Sequence, residues 1–204
     1  MSDGIPGIDG YAGEAEELLR RYEAMPFAYV HRHNLHLIPS APARVLDIGA
    51  GTGRDAAALA TLGHQVVAVE PTDALREGAR LLHPSASIEW VDDGLPNLNQ
   101  LRTRNQVFDV VMMTGVWMHL DRDERREAMP NVASLKRPGG VLIMSLRHGP
   151  VPVGRRMFDV TGQETIDLAE QEGLRTVQNL RAPSVGEHNR KSRRDLDAFG
   201  FREG

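Results

Sequence analysis

The sequence has no cysteine among its 204 residues. Disulfides, thiolate metal centres and a cysteine nucleophile are therefore excluded together, and the composition fits a reducing compartment. Long apolar runs are missing too. No stretch approaches the roughly 20 residues that cross a bilayer, and Met1-Ser2-Asp3-Gly4 lacks the pattern of a signal peptide. Nor is positive charge in excess: 24 Lys and Arg stand against 28 Asp and Glu, a formal charge of −4. That balance argues against a generally basic surface for gripping a nucleic-acid backbone. No internal repeat or low-complexity segment breaks the chain. The expectation is a soluble, cytoplasmic protein with neither a membrane nor a nucleic-acid partner.

What is present is ordinary in amount and specific in order. Hydrophobic residues make up 41% and charged residues 25%, the composition of one globular domain with a substantial core. Its focus is Val45-Leu46-Asp47-Ile48-Gly49-Ala50-Gly51-Thr52-Gly53-Arg54. A short apolar strand, 44–48, enters glycines at every second position, and a helical pattern over 54–62 follows at once. Strand, glycine turn and helix N-terminus let backbone approach a nucleotide-bearing ligand closely. A dinucleotide fingerprint would need a third glycine where Arg54 stands.

The alternation continues from there. Strand 65–69 precedes a helix over 73–82 with Asp73 as its N-cap. Strand 87–91, a loop over 92–106 with one helical turn, and strand 108–113 come next. Asp121-Arg122-Asp123-Glu124 reads as a capping box opening a helix to about Leu135. Pro138-Gly139-Gly140 turns into strand 141–146. A second box, Thr161-Gly162-Gln163-Glu164, opens a helix to about Glu172, and 175–180 reads as a sixth strand. Repeated strand–helix units predict a doubly wound α/β fold with a mainly parallel sheet. Ahead of it, residues 1–13 are read as poorly ordered, 14–25 as a helix, and 27–38 as a second helix between Pro26 and Pro39. Residues 1–43 are thus expected to form a helical lid on an α/β unit spanning 44–204. The tail is weakly written: 184–194 is polar, with Arg190, Lys191, Arg193 and Arg194 read as a solvated loop. Only Leu196, Ala198, Phe199 and Phe201 offer a seventh strand.

The D-x-G-x-G-x-G string from Asp47 to Gly53 resembles motif I of the class I S-adenosylmethionine (SAM)-dependent methyltransferases. The loops after the next strands extend the resemblance, as does Leu135-Lys136-Arg137-Pro138-Gly139-Gly140 before the fifth, so that it spans about 44–146. It implies a Rossmann-like fold with N-terminal helices, finished by an antiparallel hairpin of strands six and seven. It also implies SAM as cofactor, S-adenosylhomocysteine (SAH) as product, and no metal. Gly49, Ala50, Gly51 and Gly53 would line the methionine and ribose parts. Asp47 would orient that loop or accept, through water, from the ligand ammonium. Glu70, followed by Pro71, would take the ribose hydroxyls. Asp92 or Asp93 would accept from the adenine amine, with Asp92 directly following the strand. Thr114 and Gly115 would pass under the methionine end, and Arg54 would face the ligand carboxylate or an acceptor anion.

Thr114-Gly115-Val116-Trp117-Met118-His119-Leu120 lacks the Asn/Asp-Pro-Pro-aromatic motif of base-amino methyltransferases and the metal-binding aspartate of catechol-type enzymes. It is similar instead to small-molecule methyltransferases of the ubiquinone- and biotin-pathway kind, which implies a small-molecule acceptor. His119 and His148 are the candidate general bases, since an imidazole titrates near neutral pH, and each has an alternative as a structural histidine. Tyr22, Trp117 and Arg147 are candidates for the acceptor side. Trp117 and Met118 read equally as core, and Arg147 as one half of an ion pair or as a clamp for a carboxylate or phosphate. His31 and His33 are further polar candidates on the lid. Two other classes stay open: a non-catalytic SAM-binding protein, and a nicotinamide-dependent oxidoreductase, which shares Glu70 and the glycine turn.

Overall fold

A computed structural model describes residues 5, 10–151, 154–183 and 195–204. The basic cluster at 190–194 lies outside the described residues.

Five strands run parallel: β1 Arg44–Ile48, β2 Gln65–Val69, β3 Ile88–Val91, β4 Phe108–Thr114 and β5 Lys136–Arg147. With β6 Leu174–Pro183 and β7 Asp195–Glu203 they form one sheet of order β3-β2-β1-β4-β5-β7-β6. β7 is antiparallel to both β5 and β6. The near-continuous apolar writing of the inner strands follows from burial on both faces. Alternation sends Leu46, Ile48, Val67, Val69, Val111 and Met113 into one core and Val45, Val66, Ala68, Val110 and Met112 into the other.

Helices cover both faces. Ahead of β1 lie α1 Ala15–Glu23 and α2 Phe27–Val30, and α3 Arg54–Thr61, α4 Asp73–Leu82 and the short α5 Asn99–Arg102 follow the first three strands. After β4 and β5 come α6 Arg122–Leu135 and α7 Gly162–Gln171. Ala56 and Leu59 of α3 fill one core; Ala128, Met129 and Val132 of α6 and Leu168 and Ala169 of α7 fill the other.

Local chemistry explains most boundaries and corrects some expectations. The Asp121 carboxylate accepts from the Asp123 and Glu124 N–H groups, and Glu124 reaches back to the Asp121 N–H, a complete capping box. The second box is only half formed. Thr161 accepts from the Glu164 N–H at 3.1 Å, but the Glu164 carboxylate is drawn to the buried Arg125 guanidinium at 2.7 and 3.0 Å. A buried cation outcompetes a backbone amide for that carboxylate. Asp73 is not the cap of α4 either. Thr72 holds that position without a side-chain bond, and Asp73 pairs with Arg76 one turn along. The helix expected over 27–38 stops at Val30 and resumes only as a 3-10 turn, Leu35–Leu37.

The weakly written seventh strand is complete. Its apolar side chains Phe199 and Phe201 stack 5.8 Å apart in one core. On the other face, a Cβ at Gly200 would overlap Leu37. A strand interior with glycine and aspartate reads poorly, yet here the glycine leaves room for Leu37.

Candidate active site

Strand order reverses between β1 and β4, so the loops at their carboxyl ends open a crevice, the usual ligand position in such sheets. There the chain encloses a cavity of about 860 Å³, within the range of small-molecule sites. Its floor is the glycine loop. Gly49 and Ala50 both donate to the Val69 carbonyl, at 2.8 and 2.9 Å, binding the loop to the end of β2. Gly49 has φ +73°, and a Cβ there would stand 2.5 Å from Val116, so only glycine brings this backbone under the β4 loop. Gly53, also left-handed at φ +82°, faces the other way: a Cβ there would lie 2.6 Å from the Trp90 ring. It packs α3 against β3 and does not line the cavity.

Three buried acids, Asp47, Asp55 and Glu70, stand beside the glycine loop. Glu70 accepts from the Gly51 N–H and the Thr72 N–H, 2.8 Å each. Burial pushes its carboxyl above the usual range, opposed by those two bonds and by the Arg76 cation. Asp55 takes Arg54 Nε on one oxygen and His31 Nε2 on the other, 2.7 Å each. Despite burial, those partners hold its carboxyl below the ordinary range. Asp47 is 1% exposed, and its Oδ2 has no hydrogen-bond partner. Burial, then the charges of Asp55 and Glu70, push its carboxyl well up; Arg54 opposes them.

The opposite wall comes from the β4 loop, the N-terminal segment and the segment after β5. His119 Nδ1 lies 2.8 Å from the Arg156 carbonyl, which can only accept, so Nδ1 carries the ring proton. Nε2 then accepts from the Tyr11 hydroxyl at 3.0 Å. Burial first, then the Arg155, Arg147 and Arg156 cations, lower the His119 pKa, and the Arg156 carbonyl opposes them. The imidazole is therefore neutral at pH 7 with its lone pair directed to Tyr11. Arg155 lies 3.6 Å over the Tyr11 ring and pairs with Glu14 at 2.6 Å.

Of the expected residues, Asp47, Gly49, Ala50, Gly51, Arg54, Glu70, Pro71, Thr114, Gly115, Tyr22, Arg147 and His119 line this one cavity, with His31, His33 and Met118. Besides Gly53, four others do not. Asp92 turns to Arg76 at 3.2 Å. Asp93 is consumed by the loop itself, accepting from the Gly94 and Leu101 N–H groups. Trp117 is fully buried in the core. His148 pairs with buried Asp197 at 2.8 Å. Sequence reasoning missed Tyr11, Asn34, Asp55, Ser145, Arg155 and Met157 on the lining. Asp55 alone carried a local signal, an acid in the first turn of a helix beside the glycine loop.

Residues 45–140 match the family model described as a methyltransferase domain. Rat (Rattus norvegicus) glycine N-methyltransferase is 29% identical over 171 residues, covering 72% of this chain and 55% of that enzyme. Among solved structures, 1,6-didemethyltoxoflavin-N1-methyltransferase of Burkholderia thailandensis, crystallised with S-adenosylhomocysteine, superposes with a TM-score of 0.67 at 22% identity. That match covers 95% of this chain and 82% of the other. A TehB-like SAM-dependent methyltransferase from Corynebacterium glutamicum superposes at 0.69 and 21%, over 94% and 99%.

The chain has the fold of SAM-dependent methyltransferases of known structure, and its residues 45–140 are similar to a methyltransferase domain.

It spans about half the length of the curated relatives it matches. The cavity carries groups that suit SAM, the cofactor the resemblance implies. Asp47 offers an unpartnered buried carboxylate oxygen to an ammonium. Each Glu70 oxygen, holding one N–H, keeps a second lone pair for a hydroxyl. Gly49 and Gly51 leave the floor free of side chains. No group of three or more His, Asp or Glu able to hold a metal occurs among the described residues. No helix among them is long and apolar enough to cross a membrane.

Proposed function

We propose that this methyltransferase domain binds SAM at the glycine loop and transfers its methyl group to a small-molecule acceptor lying between His119, Tyr11 and Arg147. The observation that carries the reading is the pairing of an unpartnered Asp47 oxygen with the Glu70 carboxylate across one glycine loop at the strand-order switch. In the proposed assignment Asp47 meets the methionine ammonium, Glu70 the ribose, and the backbone of Gly49–Gly51 the body of the cofactor. Residues 1–43 act as the lid, tied to the floor where Thr52 Oγ1 donates to Glu23 at 2.7 Å. SAM, when bound, supplies a methyl group already activated by its sulfonium. The protein's share is to align the acceptor, exclude water and accept a proton.

His119 is placed for that last task. It is neutral, its Nδ1–H is fixed on a carbonyl that also steadies the imidazolium, and its Nε2 is reached through the Tyr11 hydroxyl. An acceptor N–H or O–H bonded to the Tyr11 oxygen would pass its proton to Tyr11 as Tyr11 passes its own to His119. Amine acceptors are the first to screen, because two of the similar proteins are named for N-methylation. A net charge of −4 favours a small molecule over a nucleic acid.

Calorimetric titration with SAM, SAH and NAD tests the assignment. Micromolar binding of both adenosyl ligands and none of NAD is expected. Selective NAD binding would move the chain to nicotinamide chemistry. SAM binding without turnover on any acceptor would leave a non-catalytic binding protein.

A further inference from the structure

Asp47 is a buried acid of this cavity, and its Oδ2 has no hydrogen-bond partner. From α3, Arg54 is 2.7 Å from Asp55, and the lid's His31 reaches the same Asp55 at 2.7 Å. From the end of β2, Glu70 adds a second negative charge, and its own bonds go to backbone N–H groups. The end of β4 beside it offers Thr114 and Gly115, neither of them charged. Asp47 Oδ2 therefore faces two acids and one cation that is engaged elsewhere, with no hydrogen bond to offset desolvation. A carboxylate so placed is more stable as the neutral acid. An arriving ammonium reverses that preference, because it supplies the missing counter-charge and donors.

We propose that Asp47 carries a proton in the ligand-free protein and releases it when the cofactor's ammonium docks, so that cofactor binding is coupled to proton release. This rests on the cofactor reading above and goes beyond it. The exchange balances: the neutral Asp47 carboxylic acid and the ligand ammonium become a carboxylate–ammonium ion pair. One proton passes from the Asp47 oxygen to buffer, and no other bond is made or broken. Affinity for amino-acid-bearing ligands then rises with pH until Asp47 is ionised in the free protein, and levels off above that point. Ligands that keep the adenosine but lack the ammonium escape this dependence.

The test is calorimetry of SAH binding in buffers of low and high ionisation enthalpy, such as phosphate and Tris, across a pH series. The buffer dependence of the heat counts protons. About one proton released per SAH is expected at the acid end of the series, falling toward zero as pH rises through the Asp47 titration. 5′-Methylthioadenosine, which has no amino-acid part, is the matched probe. It engages Glu70 in the same way, so it subtracts any proton exchanged there, and about one proton fewer is expected with it than with SAH. Asp47→Asn should abolish the SAH release as well. SAH that binds with buffer-independent heats throughout would overturn the inference while leaving the cofactor assignment intact. Undiminished release in Asp47→Asn, or equal release with 5′-methylthioadenosine, would overturn it too. A folded protein giving no heat with SAH would remove the cofactor reading and this inference together.

Discussion

Glu70 and His119 are proposed to divide the work of the cavity. Glu70 supports the glycine loop through the Gly51 N–H and is proposed to hold the ribose, so Glu70→Ala should weaken SAH binding about tenfold or more. An unchanged calorimetric Kd would remove the ribose assignment. His119→Ala should lower turnover far more than SAH affinity, since its bonds go to Tyr11 and Arg156. Equal loss of both would mark a structural residue. The pH sign follows from its environment. His119 is lowered from 6.5 by burial and neighbouring arginines, and the neutral ring is the proposed base. Rate should therefore be flat above about 6.5 and fall only below it, as the ring protonates. An acid limb centred above 6.5 in the kcat profile would contradict this. Glu70 directly follows β2 and His119 closes the turn after β4, and both were readable from position. Tyr11 was not, because it falls in a stretch written in Gly and Asp, and only the fold brings it 3.0 Å from His119.

At the scale of elements, the start of α7 offers a comparison between a cap and a buried ion pair. Thr161→Ala removes one cap bond and should cost about 1 kcal/mol in urea unfolding. Glu164→Ala strands Arg125, whose side chain is only 4% exposed. It should cost about 2–3 kcal/mol, because a buried cation loses its partner. The reverse ranking would mean that the capping pattern in the sequence had been the better guide. That pattern, Thr161 followed by Glu164, located the helix correctly but misassigned the glutamate. Its competitor, Arg125, is 39 residues away, beyond any local motif. For the same reason α2 stops early: the chain after Val30 turns to place His31 on Asp55 and Gln178 on Asn34, and these tertiary bonds outweigh helical spacing.

Across the whole molecule, cofactor binding should stabilise the lid and the sheet together. Leu18 of α1 packs against Leu75 of α4, and Phe27 joins the core beneath α3, so the lid belongs to the packed structure. Ligand at a hundredfold over Kd adds about 2.7 kcal/mol to the folded state. For a chain of this length that should raise Tm by roughly 5–11 °C in SAH. A scan in which the lid's signal melts separately and ahead of the sheet would show that the two are independent.

The sequence by itself determined the order of strands and helices, the glycine floor, Glu70 and the capping of α6. Each depends on periodicity, a conformational need or a bond spanning a few residues. Tertiary structure decided which polar residues share the cavity. Asp92, Asp93, Trp117 and His148 carry the right chemistry in nearly the right places. Arg76, backbone N–H groups, the core and Asp197 claim them instead. Tyr11, Asp55, Ser145 and Arg155 enter the site from different segments of the chain. The physical reason is the same in each case. A buried polar group must find a partner, and which partner is within reach is known only once the chain has folded.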